Sequence, residues 1–189
     1  MASIITATNS SGLTTSADNS GVLQLASGTG NLVTIPSVTG TAMVSGNMPA
    51  FGVTRTGSNQ SISNATATKV QLNTEEFDTA NCFDSTTNYR FTPNVAGYYQ
   101  LNGAVALNAT TMTIIVGFIY KNGSQFKRGT DIRATLNTDS LVTVSALVYA
   151  NGTTDYFELY AYINASSGSP IFVADSTSTY FNGSLVRAA

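Results

Sequence analysis

Few side chains in this chain could do chemistry, and most reactions lack an essential partner. The sequence contains no histidine, so no Ser-His-Asp or Cys-His relay and no imidazole metal site can be built. One acidic cluster stands out, Glu75, Glu76, Asp78 and Asp84. Paired carboxylates can serve acid/base chemistry or calcium. This spacing fits no EF-hand loop, however, and no neighbouring apolar run would raise a carboxylate pKa. An exposed loop is the expectation. Lys121, Lys127, Arg128 and Arg133 gather near one hairpin without an interleaved base-stacking platform. They are expected to form a solvated edge whose charge keeps the sheet margin from pairing. Cys82 is the single cysteine, which rules out an internal disulfide and leaves a small, partly buried thiol as the expected role. Tyr156, Tyr160 and Tyr162 alternate with apolar residues and could stack on the rings of a host surface glycan, or simply shield their own sheet. Catalysis is therefore not expected, and neither a metal nor a cofactor is implied.

The elements that would carry these residues read as strands. Hydrophobic residues make up 42% of the 189, enough for a core, while charged residues reach only 10%. Ordinary soluble domains carry roughly 25% charge, and here Ser, Thr, Asn and Gly take that share, favouring turns and sheets over helices. A net charge of −2 gives no electrostatic reason to meet nucleic acid or anionic lipid. No window approaches a membrane span, and the first residues lack the basic, apolar pattern of a signal peptide, so no membrane insertion is expected.

From Gly97, Tyr99, Leu101, Gly103, Val105 and Leu107 alternate with Tyr98, Gln100, Asn102, Ala104 and Ala106, as on a strand with one buried face. Phe157, Leu159, Ala161 and Ile163 alternate in the same way with Tyr156, Glu158, Tyr160 and Tyr162. Two stretches, Met112 to Tyr120 and Leu141 to Tyr149, are apolar on both sides. Each is expected to be covered by its own sandwich and by something beyond it. Asn122-Gly123 predicts a type I′ hairpin turn, and Asn151-Gly152 another turn. Phe51 to Arg55, Lys69 to Leu72, Ile171 to Val173 and Thr179 to Arg187 bring the count to about eight to ten strands with no helix. That pattern predicts a sandwich or jelly roll.

Residues 1–48 differ from the rest. They hold no Phe, Tyr, Lys or Arg and a single acid, Asp18. Short aliphatic runs (Ile4-Ile5, Val22 to Leu25, Leu32 to Ile35, Ala42 to Val44) sit between Ser/Gly/Thr turns. Such a segment cannot bury a core of its own, yet it is too apolar for a free tail. It is expected to dock, with Ile4, Ile5, Leu23, Leu25, Val33 and Ile35 as the anchoring side chains. The boundary falls near Gly46 to Pro49, dividing the chain into an attachment segment, 1–48, and a head, 49–189.

Several of these residues carry a resemblance. Phe83-Asp84, Phe91-Thr92, Pro93 and Gly97-x-Tyr99-x-Leu101 resemble the signature of the complement-one-q / tumour-necrosis-factor superfamily. Tyr180-Phe181-Asn182-Gly183-Ser184-Leu185 is similar to its closing strand, and Pro49-Ala50-Phe51 to its opening one. Pro93 sits one place early, Tyr89 reads as an insertion, and Leu101 replaces the usual aromatic. The resemblance implies an all-β, ten-stranded jelly-roll sandwich that assembles as a homotrimer, with the inner sheet of each subunit facing the three-fold axis. Tyr98, Gln100, Tyr180 and Asn182 are the candidate interface residues on that view, or else they merely cap the sheet edge. The first segment is similar to the slender β-rich shafts of bacteriophage fibre proteins. The expected function is therefore structural: a homotrimeric capsid decoration or short head-fibre protein, assembled in the host cytoplasm and resident in the virion. A tail-fibre tip that binds a host receptor is the alternative, and a secreted lectin-like module a second.

Overall fold

The structure, a computed structural model, describes residues 48–137 and 139–189, together with the backbone of two earlier strands, Leu23–Ser27 (β1) and Asn31–Ile35 (β2). The chain divides into two compact units, Met1–Gly40 and Thr41–Ala189. In the first, β1 and β2 pair antiparallel, with Leu23 opposite Ile35 and Leu25 opposite Val33. Ile4 and Ile5, like Ala42 to Val44, lie outside the described residues.

In the second unit the described residues form thirteen strands in two antiparallel sheets and no helix. Eight strands have five or more residues: β3 (Ala50–Thr54), β6 (Thr74–Asp78), β9 (Gly97–Asn108), β10 (Thr111–Lys121), β11 (Ser124–Ile132), β12 (Ser140–Ala150), β13 (Phe157–Ser167) and β15 (Tyr180–Ala188). The other five are two-residue pairings: β4 (Gln60–Ser61), β5 (Thr68–Lys69), β7 (Phe83–Asp84), β8 (Arg90–Phe91) and β14 (Ile171–Phe172). In the seven-stranded sheet β9 is flanked by β12 on one side and by β15, β3 and β6 on the other, with β14 and β4 extending the ladder. The six-stranded sheet runs β11-β10-β13, and β5, β8 and β7 continue beyond β13.

Period-two alternation builds the core between the sheets. Tyr99, Leu101, Val105 and Leu107 of β9 are buried, as are Phe157, Leu159, Ala161 and Ile163 of β13. The residues that carried the family resemblance meet here. The Phe51 ring stacks on Phe91 at 4.2 Å and on Phe83 at 5.4 Å, Phe181 meets it edge-on at 5.2 Å, and Tyr99 meets Phe91 edge-on at 5.4 Å. The motif therefore specifies aromatic packing rather than a reactive site. The buried Tyr99 phenol donates to the Val95 carbonyl at 2.7 Å, which satisfies its one polar group. Burial foremost pushes its pKa above the ordinary phenol value. Gly183 is a packing requirement. A Cβ there would lie 2.5 Å from Leu101 Cδ2 and 3.0 Å from Phe51 Cε1, so only glycine lets the two side chains close over the strand.

The loops also have local causes. The Asp84 carboxylate accepts from the backbone N–H groups of Thr86, Thr87 and Asn88, winding the chain through the turn before β8. Tyr89, which reads as an insertion in the sequence, is absorbed by a left-handed backbone (φ 49°). Asn122 and Gly123 both take positive φ, as a type I′ turn demands. Asn151-Gly152 works differently: the Asn151 Oδ1 accepts from the N–H groups of Thr153, Thr154 and Asp155, forming a wider side-chain-held loop.

Two local expectations need correction. Of Lys69 to Leu72 only Lys69 belongs to a strand, Thr68–Lys69. The Val70 N–H still bonds the Leu159 carbonyl of β13, but the Leu72 N–H then turns back to the Val70 carbonyl. The Gln60 side chain occupies the other edge, donating to the Lys69 carbonyl and accepting from the Gln71 N–H. Glu75, Glu76 and Asp78 lie on β6, an edge strand rather than a loop.

Candidate functional site

Two surfaces of the second unit could act on something outside it, the outward faces of the two sheets. Register assigns the seven-stranded face in rows. Ser145, Asn102, Asn182, Gly52 and Phe77 face one another across β12, β9, β15, β3 and β6. The next row is Leu147, Gln100, Ser184 and Ala50, and Tyr149 opposes Tyr98 beyond it. The face mixes bare apolar groups with uncharged amides. Leu147 is 56% exposed, and Leu141, Tyr149, Tyr98, Phe77 and Val186 are exposed as well. At the centre Gln100 Nε2 donates to Ser145 Oγ (2.9 Å), Ser145 Oγ to Asn102 Oδ1 (2.8 Å), and Asn102 Nδ2 to Asn182 Oδ1 (3.1 Å). Strands β9, β12 and β15 carry one formal charge among them, Arg187. An apolar, charge-poor, hydrogen-bonded face is what the core of a protein–protein interface looks like.

All four interface candidates from the sequence, Tyr98, Gln100, Tyr180 and Asn182, sit on this face, with Tyr180 half-buried opposite Ala104 and Thr54. Sequence reasoning did not single out Leu141, Leu147, Tyr149, Asn102 or Ser145. The signal was present in the two-sided apolar pattern of β12, but only the β12–β9 register brings those residues beside Tyr98 and Gln100.

The six-stranded face is aromatic and closed over itself. Tyr120 and Tyr160 stack at 3.8 Å, Phe118 meets Tyr120 edge-on at 6.2 Å, and the Arg128 guanidinium lies 5.8 Å from the Phe118 ring. Glu158, only 4% exposed, pairs with Lys69 at 2.7 Å, and Lys69 also donates to the Asn88 carbonyl. Burial, with the Glu158 carboxylate next in size, pushes the Tyr160 phenol up to about 12, so it stays protonated near neutrality. Of the tyrosines singled out for stacking, Tyr160 is already stacked on Tyr120 and Tyr156 lies under the Arg90 guanidinium at 4.4 Å. Tyr162 borders a groove.

The expected edge cations are mostly paired: Lys121 with Asp155 at 2.9 Å, and Arg128 and Arg133 with Asp131 at 2.5 and 3.3 Å. The acidic residues have local duties. Asp84 holds its turn, and Glu75 accepts from Ser85 Oγ at 2.6 Å beside an open depression of about 570 Å³. Among the described residues no group of three or more acidic or cysteine side chains is placed to hold a metal ion. Cys82 is buried, and burial foremost pushes its thiol pKa up.

The sequence matches no family model, and no curated protein matches it. Solved structures do. Murine APRIL at pH 8.0 aligns with a TM-score of 0.55 and 9% identity over 74% of this chain and 99% of its own. Eiger TNF from S. frugiperda aligns with 0.53 and 7% identity over 76% and 95%. The globular domain of zebrafish complement 1qA aligns with 0.49 and 16% identity over 75% and 99%. Identities this low speak to architecture alone: the second unit carries a tumour-necrosis-factor-like jelly-roll fold.

Proposed function

We propose that the chain is a homotrimeric structural protein of a bacteriophage particle, a capsid decoration or short head-fibre protein. The jelly-roll head assembles through the outward face of its seven-stranded sheet, and residues 1–48 attach it to other virion proteins. The observation that carries the assembly is the bare row of Leu147, Tyr149 and Tyr98 around the Gln100–Ser145–Asn102–Asn182 network. A lone copy would leave this apolar area in water, and burial of such area stabilises association by roughly 25 cal/mol per Å². Attachment is supported by the aliphatic, charge-poor composition of residues 1–48. On this reading the protein resides in the virion and is not an enzyme.

Sedimentation equilibrium at micromolar concentration tests the assembly, with an expected mass three times the 19.7 kDa of one chain. A monodisperse monomer would remove the basis of the proposal. Antibody labelling of intact particles tests the setting. Labels over the shell are expected, whereas labels confined to a tail tip would replace decoration by receptor binding.

A further inference from the structure

The groove beside Tyr162 is unused by the assembly. It lies within a single chain, on the outward side of the six-stranded sheet, and encloses about 370 Å³. That is the small end of the roughly 300–1,000 Å³ of ligand pockets, with room for about two sugar rings. Its accessible apolar lining is the half-buried Ile114 of β10 and the half-buried Tyr162, while Val116 and Phe118 beneath are only 2% and 6% exposed. Arg128 and Arg133 line the other wall. Both guanidinium groups share one acid, Asp131, which orients them while leaving the trio with a net positive charge. Both arginine side chains remain substantially exposed. The groove therefore joins an aliphatic and an aromatic side chain to a surplus of planar cationic donors.

We propose that this groove binds an acidic saccharide, a pyranose unit bearing a carboxylate. The C–H face of the ring would pack on Tyr162 and Ile114, and the carboxylate would meet the Arg128–Arg133 pair, whose forked donors match a carboxylate in two-point geometry. A neutral sugar would leave the surplus charge unanswered. A small dicarboxylate would leave Tyr162 and Ile114 uncovered. The proposal does not rest on trimer formation, since every residue of the groove comes from one chain.

Calorimetric titration of the full-length protein with digalacturonate tests it, with digalacturonate dimethyl ester and glutarate as comparators. Saturable binding with a millimolar or tighter Kd is expected for digalacturonate, and binding about ten-fold weaker or worse for each comparator. Arg133→Gln and Tyr162→Ala change exposed or half-exposed side chains, and each should weaken digalacturonate binding about ten-fold or more. The proposal is overturned by an absence of saturable binding up to about 20 mM. Equal binding of the ester or of glutarate overturns it too, as does unchanged affinity in both variants.

Discussion

Strands β10 and β12 look alike as sequence, since both are apolar on two sides, yet their outward faces have opposite fates. On β10, Val116 and Phe118 are 2% and 6% exposed. Phe118 lies in register between Tyr160 on β13 and Arg128 on β11, and Val116 between Tyr162 and Asp131. Long side chains from both neighbours fold over the apolar row, their stems and rings covering it while the polar ends reach water. Among the described residues β12 has a ladder only with β9, whose outward residues opposite Leu147 and Tyr149 are Gln100 and Tyr98, and the row stays open. An apolar second face therefore signals that cover is required. Whether the chain supplies that cover depends on the strand's position in its sheet and on the length of the neighbouring side chains.

The sharpest way to break this contrast is one substitution on each face. Leu147→Asp would put three carboxylates into the proposed interface, and dissociation should become at least about a hundred-fold easier, seen as a monomer in sedimentation. Tyr160→Ala on the other face should leave the assembly intact. A trimer that tolerates Leu147→Asp would mean the open face is not where copies meet.

Stability measurements sharpen the same comparison. In the Leu147→Asp background, where the chain is expected to be alone, Phe118→Ala should cost about 3 kcal/mol in denaturant unfolding, because the chain itself buries that ring. Leu141→Ala on the open face should cost less than about 0.5 kcal/mol. Similar losses at the two sites would erase the distinction. The cover over the six-stranded face also contains an ion pair. Lys69→Ala strands the Glu158 carboxylate, 4% exposed, and should cost about 2–3 kcal/mol. Adding Glu158→Gln should restore most of it, and no restoration would mean that Lys69 acts through its packing.

The smallest expected effect is acidic. Hydrogen bonding, from the Thr87 N–H above all, holds the Asp84 carboxyl below its ordinary range. A lowered folded-state pKa adds stability above the unfolded value, near about 4, and that gain is lost as pH falls toward the folded value. Between about pH 6 and pH 2 the unmodified chain should therefore lose more stability than Asp84→Asn, read from denaturation midpoints. Parallel losses would show that Asp84 does not couple this turn to pH.

Much of the architecture was legible because period-two alternation is local. The faces of β9 and β13 and the Asn122-Gly123 turn follow from neighbours in sequence, whereas Phe51, Phe83, Phe91 and Phe181 were marked by a resemblance and only the fold shows them packed together. What was not legible depends on distant partners. Nothing near Lys69 announces that Gln60 will occupy its outer edge, and nothing near Glu75 distinguishes an exposed loop from an exposed edge strand. Arg128 and Arg133 read as generic edge charges until the β10–β11 register sets Arg128 opposite Phe118 and both pair with Asp131.

The amino-acid sequence alone determined that the second unit would be a helix-free β-structure with Tyr99, Leu101, Phe157 and Leu159 turned inside. Side-chain type and spacing suffice for that, since a strand can turn its apolar set only one way. Tertiary structure alone decided which outward face would be covered and which left open. That outcome rests on strand order and register, which join residues such as Phe118 and Tyr160 across some forty positions of chain.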